Sequence, residues 1–410
     1  MEFIADFHIH SKYSRATSKG MDISHIAEWA KLKGIKLMGT GDFTHHLWLE
    51  ELKNNLEDLK NGLFKYKDVY FILTGEISSI YSKGGKTYRV HNMIFSPSLK
   101  IADRINETLS RYGNLSSDGR PILGLDCREL ARIIFDIDEN CMIVPSHIWT
   151  PWFSVFGSMS GFDRIEDCFE EQTPKISTLE TGLSSDPSMN WRLSALDRFT
   201  LISNSDSHSP SRIGREANVF DCELDYKTIK EVLEKKDKKR FLYTIEFFPQ
   251  EGKYHFDGHR LCGTRFSPKE TKENKGICPK CKKPVTVGVM NRVEQLADRL
   301  QGVIPENVIP FKNLIPLDEI IAEAKGITKS SKAIEKEYLL VISNFGSEFE
   351  ILMNAKREDL EKRLNRRIAE GILRVREGKV KIQPGFDGDY GKISIFSEDE
   401  RIDEKQLNLF

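Results

Sequence analysis

The chain has 410 residues, 39% of them hydrophobic and 30% charged, with a formal net charge of −1. That length exceeds what one ordinary core organises, so two or three domains are expected, and the composition excludes a disordered chain. No apolar run is long enough to span a bilayer, and residues 1–6 lack the pattern of a secretory leader, which points to a cytoplasmic protein with no membrane partner. Net neutrality leaves nucleic acid open as a ligand, because basic residues cluster locally at 235–240, 280–283 and 363–367.

In chain order, short apolar runs at 3–10, 35–41, 69–75, 87–96, 141–145, 177–181, 199–204 and 241–245 are predicted strands. Between them, amphipathic stretches at 23–33, 47–60, 127–135 and 189–196 are predicted helices. Asp126 with Glu129 forms a capping-box pattern, and Gly34 stands where a helix C-cap belongs. This alternation predicts a parallel α/β domain over 1–250, open or closed. Residues 251–290 are rich in Cys, Gly, Lys and Pro and predict a small loop-rich module. Helical patterning returns over 291–397, with helices at 314–325, 333–344, 348–354 and 358–371, then a Gly-rich segment at 384–391. Residues 398–410 are predicted to be a flexible acidic tail.

On a strand over 3–10, Asp6, His8 and His10 share one face. Burying three such side chains is costly unless something satisfies them, and a metal ion does so. Asp42 follows the second strand with His45 and His46 just beyond, and Glu76 ends the third. His147 follows the fifth strand, and Asp206 and His208 follow the seventh; His91 is the exception to this strand-end placement. In a parallel α/β barrel the strand ends converge on the face where active sites form. Imidazoles mixed with carboxylates suit Zn, Mn or Fe rather than Ca.

The order His8-x-His10, Asp42 with His45, Gly75-Glu76, His91, Ser146-His147 and Asp206-Ser-His208 resembles the polymerase and histidinol phosphatase (PHP) superfamily. The resemblance implies a distorted (β/α)7 barrel holding two or three divalent ions, with Mg as a further possibility for activity. By the same resemblance, His8, His10, Glu76 and Asp206 form one site, and Glu76 bridges to a second ion on His91 and His147. His208, with Asp42 or His45, would hold a third. Many members carry a further Asp or His near the position of Arg15, whose planar fork suits a phosphate instead.

Ser14-Arg-Ala-Thr-Ser-Lys, Gly39-Thr-Gly-Asp-Phe-Thr-His, the cysteine module and Gln383-Pro-Gly-Phe-Asp-Gly-Asp-Tyr-Gly are similar to the endonuclease Q family. Membership would imply a metal-dependent endodeoxyribonuclease cutting duplex DNA on the 5′ side of deoxyinosine, deoxyuridine, deoxyxanthosine and abasic sites. It would leave a 3′-hydroxyl and a 5′-phosphate. Trp149, Trp152, Phe153 and residues 181–190 are candidates to wall the base pocket.

His259-x-x-Cys262 and Cys278-x-x-Cys281 have the spacing of a closed structural zinc site, with His255 able to replace His259. Lys269, Lys272, Lys275, Lys280, Lys282 and Lys283 around it suggest a DNA-facing surface. Terminal Gln406, Leu407, Leu409 and Phe410 resemble the peptide by which repair proteins dock on a sliding clamp, the bacterial β clamp foremost, as a nucleoid-associated enzyme would. Two rival readings are a phosphatase for a small phosphate monoester and a non-catalytic DNA-binding accessory protein.

Overall fold

The computed structural model describes residues 1–397 and 400. Seven strands make a ring: β1 (Glu2–Asp6), β2 (Leu37–Gly39), β3 (Val69–Lys83), β4 (Lys86–Ser96), β5 (Met142–Pro145), β6 (Thr178–Glu180) and β7 (Thr200–Ile202). β1, β2 and β3 are parallel, with Ala5 opposite Leu37 and Leu37 opposite Tyr70. β6 and β7 are also parallel. A hydrogen bond from Ile148 N–H to the Glu180 carbonyl, 3.1 Å, ties the end of β5 to β6. A bridge between Ile9 and Ser207 ties the end of β7 back to the extension of β1.

The ring departs from the all-parallel expectation at β4, which is antiparallel to both β3 and β5. The cause is local. Lys83 pairs with Lys86, leaving a two-residue turn of Gly84 and Gly85 with φ of 58° and 79°. Two successive positive φ values suit a tight hairpin that turns the chain straight back without a crossover helix. β3 therefore runs on to Lys83, and Glu76 lies inside a strand rather than past its end. Two further strands, β8 (Ala217–Asp221) and β9 (Phe241–Glu246), extend the sheet antiparallel beyond β1.

The helices of this half include α1 (Ile23–Lys33), α2 (His46–Asn55), α3 (Leu99–Leu109) and α4 (Cys127–Ile137). The Asp22 side chain caps α1 by accepting from His25 N–H, and Gly34 closes it at φ 87°. Asp126 caps α4 in the same way through Glu129 N–H, and α4 buries Cys127, Leu130, Ala131 and Ile134 on one face. The stretch at 189–196 splits into a short helix, Pro187–Asn190, and a 3-10 turn, Ser194–Leu196. Phe7 packs edge-on to Phe95 at 5.5 Å and against Phe220 at 6.0 Å, within a core that includes Leu37, Ile72 and Val144. Each such buried side chain contributes roughly 1.5–3 kcal/mol.

The C-terminal region is helical, with α5 (Leu317–Lys325), α6 (Lys332–Phe345) and α7 (Arg366–Arg376). It docks on the end of α1, where buried Lys33 and Glu348 pair at 2.6 Å. Glu348 also accepts from Leu317 N–H at 3.0 Å and Tyr338 Oη at 2.7 Å, so the buried carboxylate is fully engaged. No helix among the described residues is long and apolar enough to cross a membrane.

Two carboxyls, Glu216 beside β8 and Glu246 on β9, are fully buried. Glu246 accepts from Thr244, Ser203 and Thr181 hydroxyls at 2.5, 3.0 and 3.2 Å. Burial, reinforced by Asp186, pushes its carboxyl up to about 8, from an ordinary 4.5. The folded chain holds that proton more tightly than the unfolded chain. Its contribution to stability is therefore complete below about 4.5 and is lost as pH rises through about 8. Glu246→Gln should flatten this slope: in scanning calorimetry its Tm gains on the parent between about pH 5 and about pH 9. An unchanged Tm difference across that range would show the carboxyl to be ionised throughout.

Candidate metal centre

Beyond Asp6 the chain stays extended, carrying His8 and His10 into the ring, 2% and 0% exposed. Asp6 itself turns away, accepting from Ser205 N–H at 3.1 Å and Gly214 N–H at 2.9 Å. Three sets of ligand atoms converge: His8, His10 and Glu76; Glu76, His91 and His147; and His10, Asp206 and His208. Glu76 and His10 are each shared between two sets. Glu76 stands 3.5 Å from His8 Nε2, 3.4 Å from His10 Nε2, 3.2 Å from His91 Nδ1 and 3.3 Å from His147 Nε2. Asp206 Oδ1 lies 3.1 Å from His10 Nε2.

The imidazoles are aimed by their other nitrogens. His8 Nδ1 faces Glu180 at 3.0 Å and His10 Nδ1 faces Asp42 at 3.0 Å. His147 Nδ1 meets Thr150 Oγ1 at 3.1 Å, and His208 Nδ1 meets the Asp206 carbonyl at 2.9 Å. His8, His10 and His147 thereby leave Nε2 for the cluster, the arrangement by which outer partners fix ring orientation at metal sites. His91 instead presents Nδ1 to Glu76, from mid-strand on the antiparallel β4.

His8 Nε2, His10 Nε2, Glu76 Oε1 and Asp206 Oδ1 are buried with no hydrogen-bond partner among the described residues. Leaving four such atoms unsatisfied is costly, and divalent cations are the chemistry that this donor set fits. Burial opposes ionisation of Glu76, yet His91, His8 and Arg120 hold its carboxyl well below its ordinary range. Asp206 is likewise held low against burial, chiefly by His10, 3.1 Å away, and by His8. The ring thus holds anionic oxygens inside a low-dielectric pocket.

Three residues beside this centre have left-handed backbone: Asp42, His147 and Asp206, with φ of 52°, 32° and 45°. Such non-glycine residues cost about 1–3 kcal/mol each and persist where the surroundings over-determine them. His147 N–H donates to Glu180 Oε2 at 2.8 Å, and Ser11 N–H donates to Asp42 Oδ2 at 2.6 Å.

Several expected site residues lie elsewhere. Asp42 is spent on His10, Ser11 and Ser14, so its oxygens are not free for an ion beside His208. His45 stacks on Tyr13 at 4.5 Å at the start of α2, outside the three sets. His208 joins Asp206 and His10 instead of Asp42 or His45. Arg15 is exposed and pairs with Asp118 at 3.4 Å. Trp149 is 1% exposed, donates to Asn190 Oδ1 at 2.7 Å and packs on Phe156, which makes it core rather than pocket wall. Phe153 packs on His91 at 4.8 Å, and Trp152 is exposed beside Tyr254.

Sequence reasoning missed Glu180, Asn204 and Arg120. Glu180 ends a predicted strand, just as Asp206 follows one, so the strand-end rule could have found it. Asn204 donates to Glu180 at 2.8 Å and accepts from Phe7 N–H at 2.9 Å. Arg120, whose Nη1 lies 3.2 Å from Glu76 Oε2, comes from a loop with no local signal.

In the cysteine module, a hairpin of Asp257–His259 with Thr264–Phe266 brings His259 and Cys262 to Cys278 and Cys281. The four ligand atoms lie within 4.8 Å of one another. His255 is buried against Phe256 and lies outside this set. The Gly-rich segment closes on the module, Asp387 accepting from Arg260 N–H and Thr286 Oγ1, both at 2.6 Å.

Residues 316–379 match the model of a family described as the MJ0043 C-terminal domain. The chain is 36% identical over 257 residues to MJ0043 of Methanocaldococcus jannaschii, a match covering 60% of this chain and 31% of that protein. It thus spans about a third of that relative's length. Among solved structures, the lesion-specific endonuclease PfuEndoQ from Pyrococcus furiosus superposes with a TM-score of 0.87 at 32% identity, covering 100% of this chain and 99% of that one. A complex of endonuclease Q with a 27-mer duplex bearing an abasic lesion gives 0.85 at 33%, covering 97% and 98%.

If Glu180 aims His8 at a bound ion, Glu180→Gln weakens divalent-ion binding to the ring by roughly 10–100-fold, as measured by calorimetric titration. Binding as tight as in the parent would remove that role.

Proposed function

The chain belongs to the endonuclease Q family, and on that premise we propose that it is a lesion-directed DNA repair endonuclease that uses two or three divalent ions in its ring. The carrying observation is the end-to-end match, cysteine module and helical region included, to a structure holding an abasic duplex. The small-monoester reading accounts for neither of those two regions. The non-catalytic reading leaves unexplained the buried ligand atoms that have no partner.

Ions of the Zn, Mn, Fe or Mg type held by His8, His10, Glu76, His91, His147, Asp206 and His208 would supply an activated water and neutralise phosphoryl charge. The protein's part is to hold the ligands rigid through Glu180, Asp42 and Thr150. The open side of the centre is formed by Asp206 and His208, with side chains 26% and 31% exposed, and substrate enters there.

The proposed cut falls 5′ to deoxyinosine, deoxyuridine, deoxyxanthosine or an abasic site. A deaminated base pairs poorly, so extruding it costs less than extruding a normal base. Phe153, beside His91, and Trp152 remain the candidate walls of its pocket. His259, Cys262, Cys278 and Cys281 fit one structural zinc ion. Exposed Lys269, Lys272 and Lys275 line a groove on the same module, which suits a phosphate backbone. Gln406, Leu407, Leu409 and Phe410 lie outside the described residues; their spacing supports docking on a sliding clamp.

The test is a labelled duplex with one deoxyinosine set against p-nitrophenyl phosphate. Metal-dependent nicking 5′ to the lesion is expected; efficient ester turnover without nicking would sink the proposal. His8→Ala and Asp206→Ala should abolish nicking while duplex binding stays within a few-fold. Cys278→Ser should cost about one zinc per chain in elemental analysis, in line with a four-ligand closed site. A zinc content equal to the parent's would remove that assignment.

A further inference from the structure

Arg120 is an arginine at the metal centre that the ligand pattern does not account for. It lies on the loop between α3 and α4, and its guanidinium points at Glu76 with Nη1 3.2 Å from Oε2. Its side chain is 27% exposed, about as open as Asp206 and His208. It therefore stands at the mouth of the pocket with one edge on the ligands and one edge in solvent.

The loop that carries it is built against the centre rather than resting on the surface. A Cβ at Gly119 would run into the Asp42 carboxylate and the Ser14 hydroxyl, so only glycine lets this backbone press on the pair that orients His10. Gly119 N–H donates to the Tyr13 carbonyl at 3.1 Å, and Ser78 N–H donates to the Pro121 carbonyl at 3.0 Å. Asp118 then joins two loops: one oxygen accepts from both Arg15 N–H and Arg120 N–H at 3.2 Å, and the other lies 3.4 Å from Arg15 Nε. One carboxylate thus anchors two arginines, one facing the ligands and one in solvent.

An arginine directed at ligand carboxylates keeps free donors for an anion that reaches those ligands, and a guanidinium matches phosphate oxygens with two parallel N–H donors. We infer that Arg120 and Arg15 form a two-part phosphate clamp held by Asp118: Arg120 grips the scissile phosphodiester and Arg15 a neighbouring backbone phosphate. Arg120 is then a catalytic residue, Arg15 a binding residue and Asp118 a positioning residue. The inference rests on the nuclease reading above.

The experiment compares Arg120→Ala, Arg120→Lys, Arg15→Ala and Asp118→Asn with the parent on a duplex carrying one abasic site. It measures kcat and KM for nicking, bound divalent ion, and duplex affinity by anisotropy in chelator across a salt series. Arg120→Ala should lower kcat by roughly 100-fold with ion content unchanged, as for removal of one preorganised donor, and Lys should restore part of it. Arg15→Ala should raise KM at near-parent kcat and reduce the salt slope by about 0.9, the loss of one phosphate contact. Asp118→Asn should move both constants. Nicking by Arg120→Ala within about threefold of the parent, against that donor-removal expectation, would overturn the clamp. So would loss of bound ion in that variant, because Arg120 would then act by holding Glu76. A parent chain that binds the duplex without nicking it would overturn the nuclease reading instead, and the salt slopes would still decide the clamp.

Discussion

Glu76 is a carboxylate with 1% of its surface exposed, set among His8, His10, His91, His147 and Arg120. Ionised and alone, such a group would be prohibitively costly inside a protein. The surrounding cationic and metal-competent groups make it affordable, and they come from four separate parts of the chain. The first half of the fold can be seen as the scaffold that brings those parts within reach of one side chain.

That demand explains features that would otherwise look like faults. Three non-glycine residues are bent to positive φ at strand ends because the direction of each side chain matters more than its backbone comfort. Two more buried carboxylates, Glu180 and Asp42, are spent on imidazole Nδ1 atoms, which leaves Nε2 atoms inward and without protein partners. The ring admits an antiparallel β4, which puts His91 opposite Ser78 on β3, two residues from Glu76, without waiting for a crossover helix.

Much of this was legible in the sequence because metal ligands obey strand periodicity. His8, Glu76, His147, Asp206 and His208 were found from their places on or after apolar runs, and His259, Cys262, Cys278 and Cys281 from spacing alone. The direction of β4 was legible too, in hindsight, from Gly84-Gly85 between two polar-ended strands. What could not be read is which carboxylate touches a metal and which touches a histidine. Asp42 and Glu76 are both buried carboxylates, and only the partners that the fold brings to each separate them. Local sequence does not show which way an aromatic faces after a bend at His147, so Trp149, a candidate pocket wall by sequence, lies in the core. Arg120 was invisible because its role arises from a loop pressed on the site across Gly119, a contact between segments distant in sequence.

The buried cluster around Glu76 fits divalent cations and is separate from the cysteine module. The direct measurement is the number of bound divalent ions per folded chain in the parent and in Glu76→Ala, by elemental analysis after removal of loose metal. The variant is expected to lose the ions of the two ligand sets that share Glu76 and to keep the zinc content assigned to His259, Cys262, Cys278 and Cys281. Equal ion counts in the two folded proteins would contradict it.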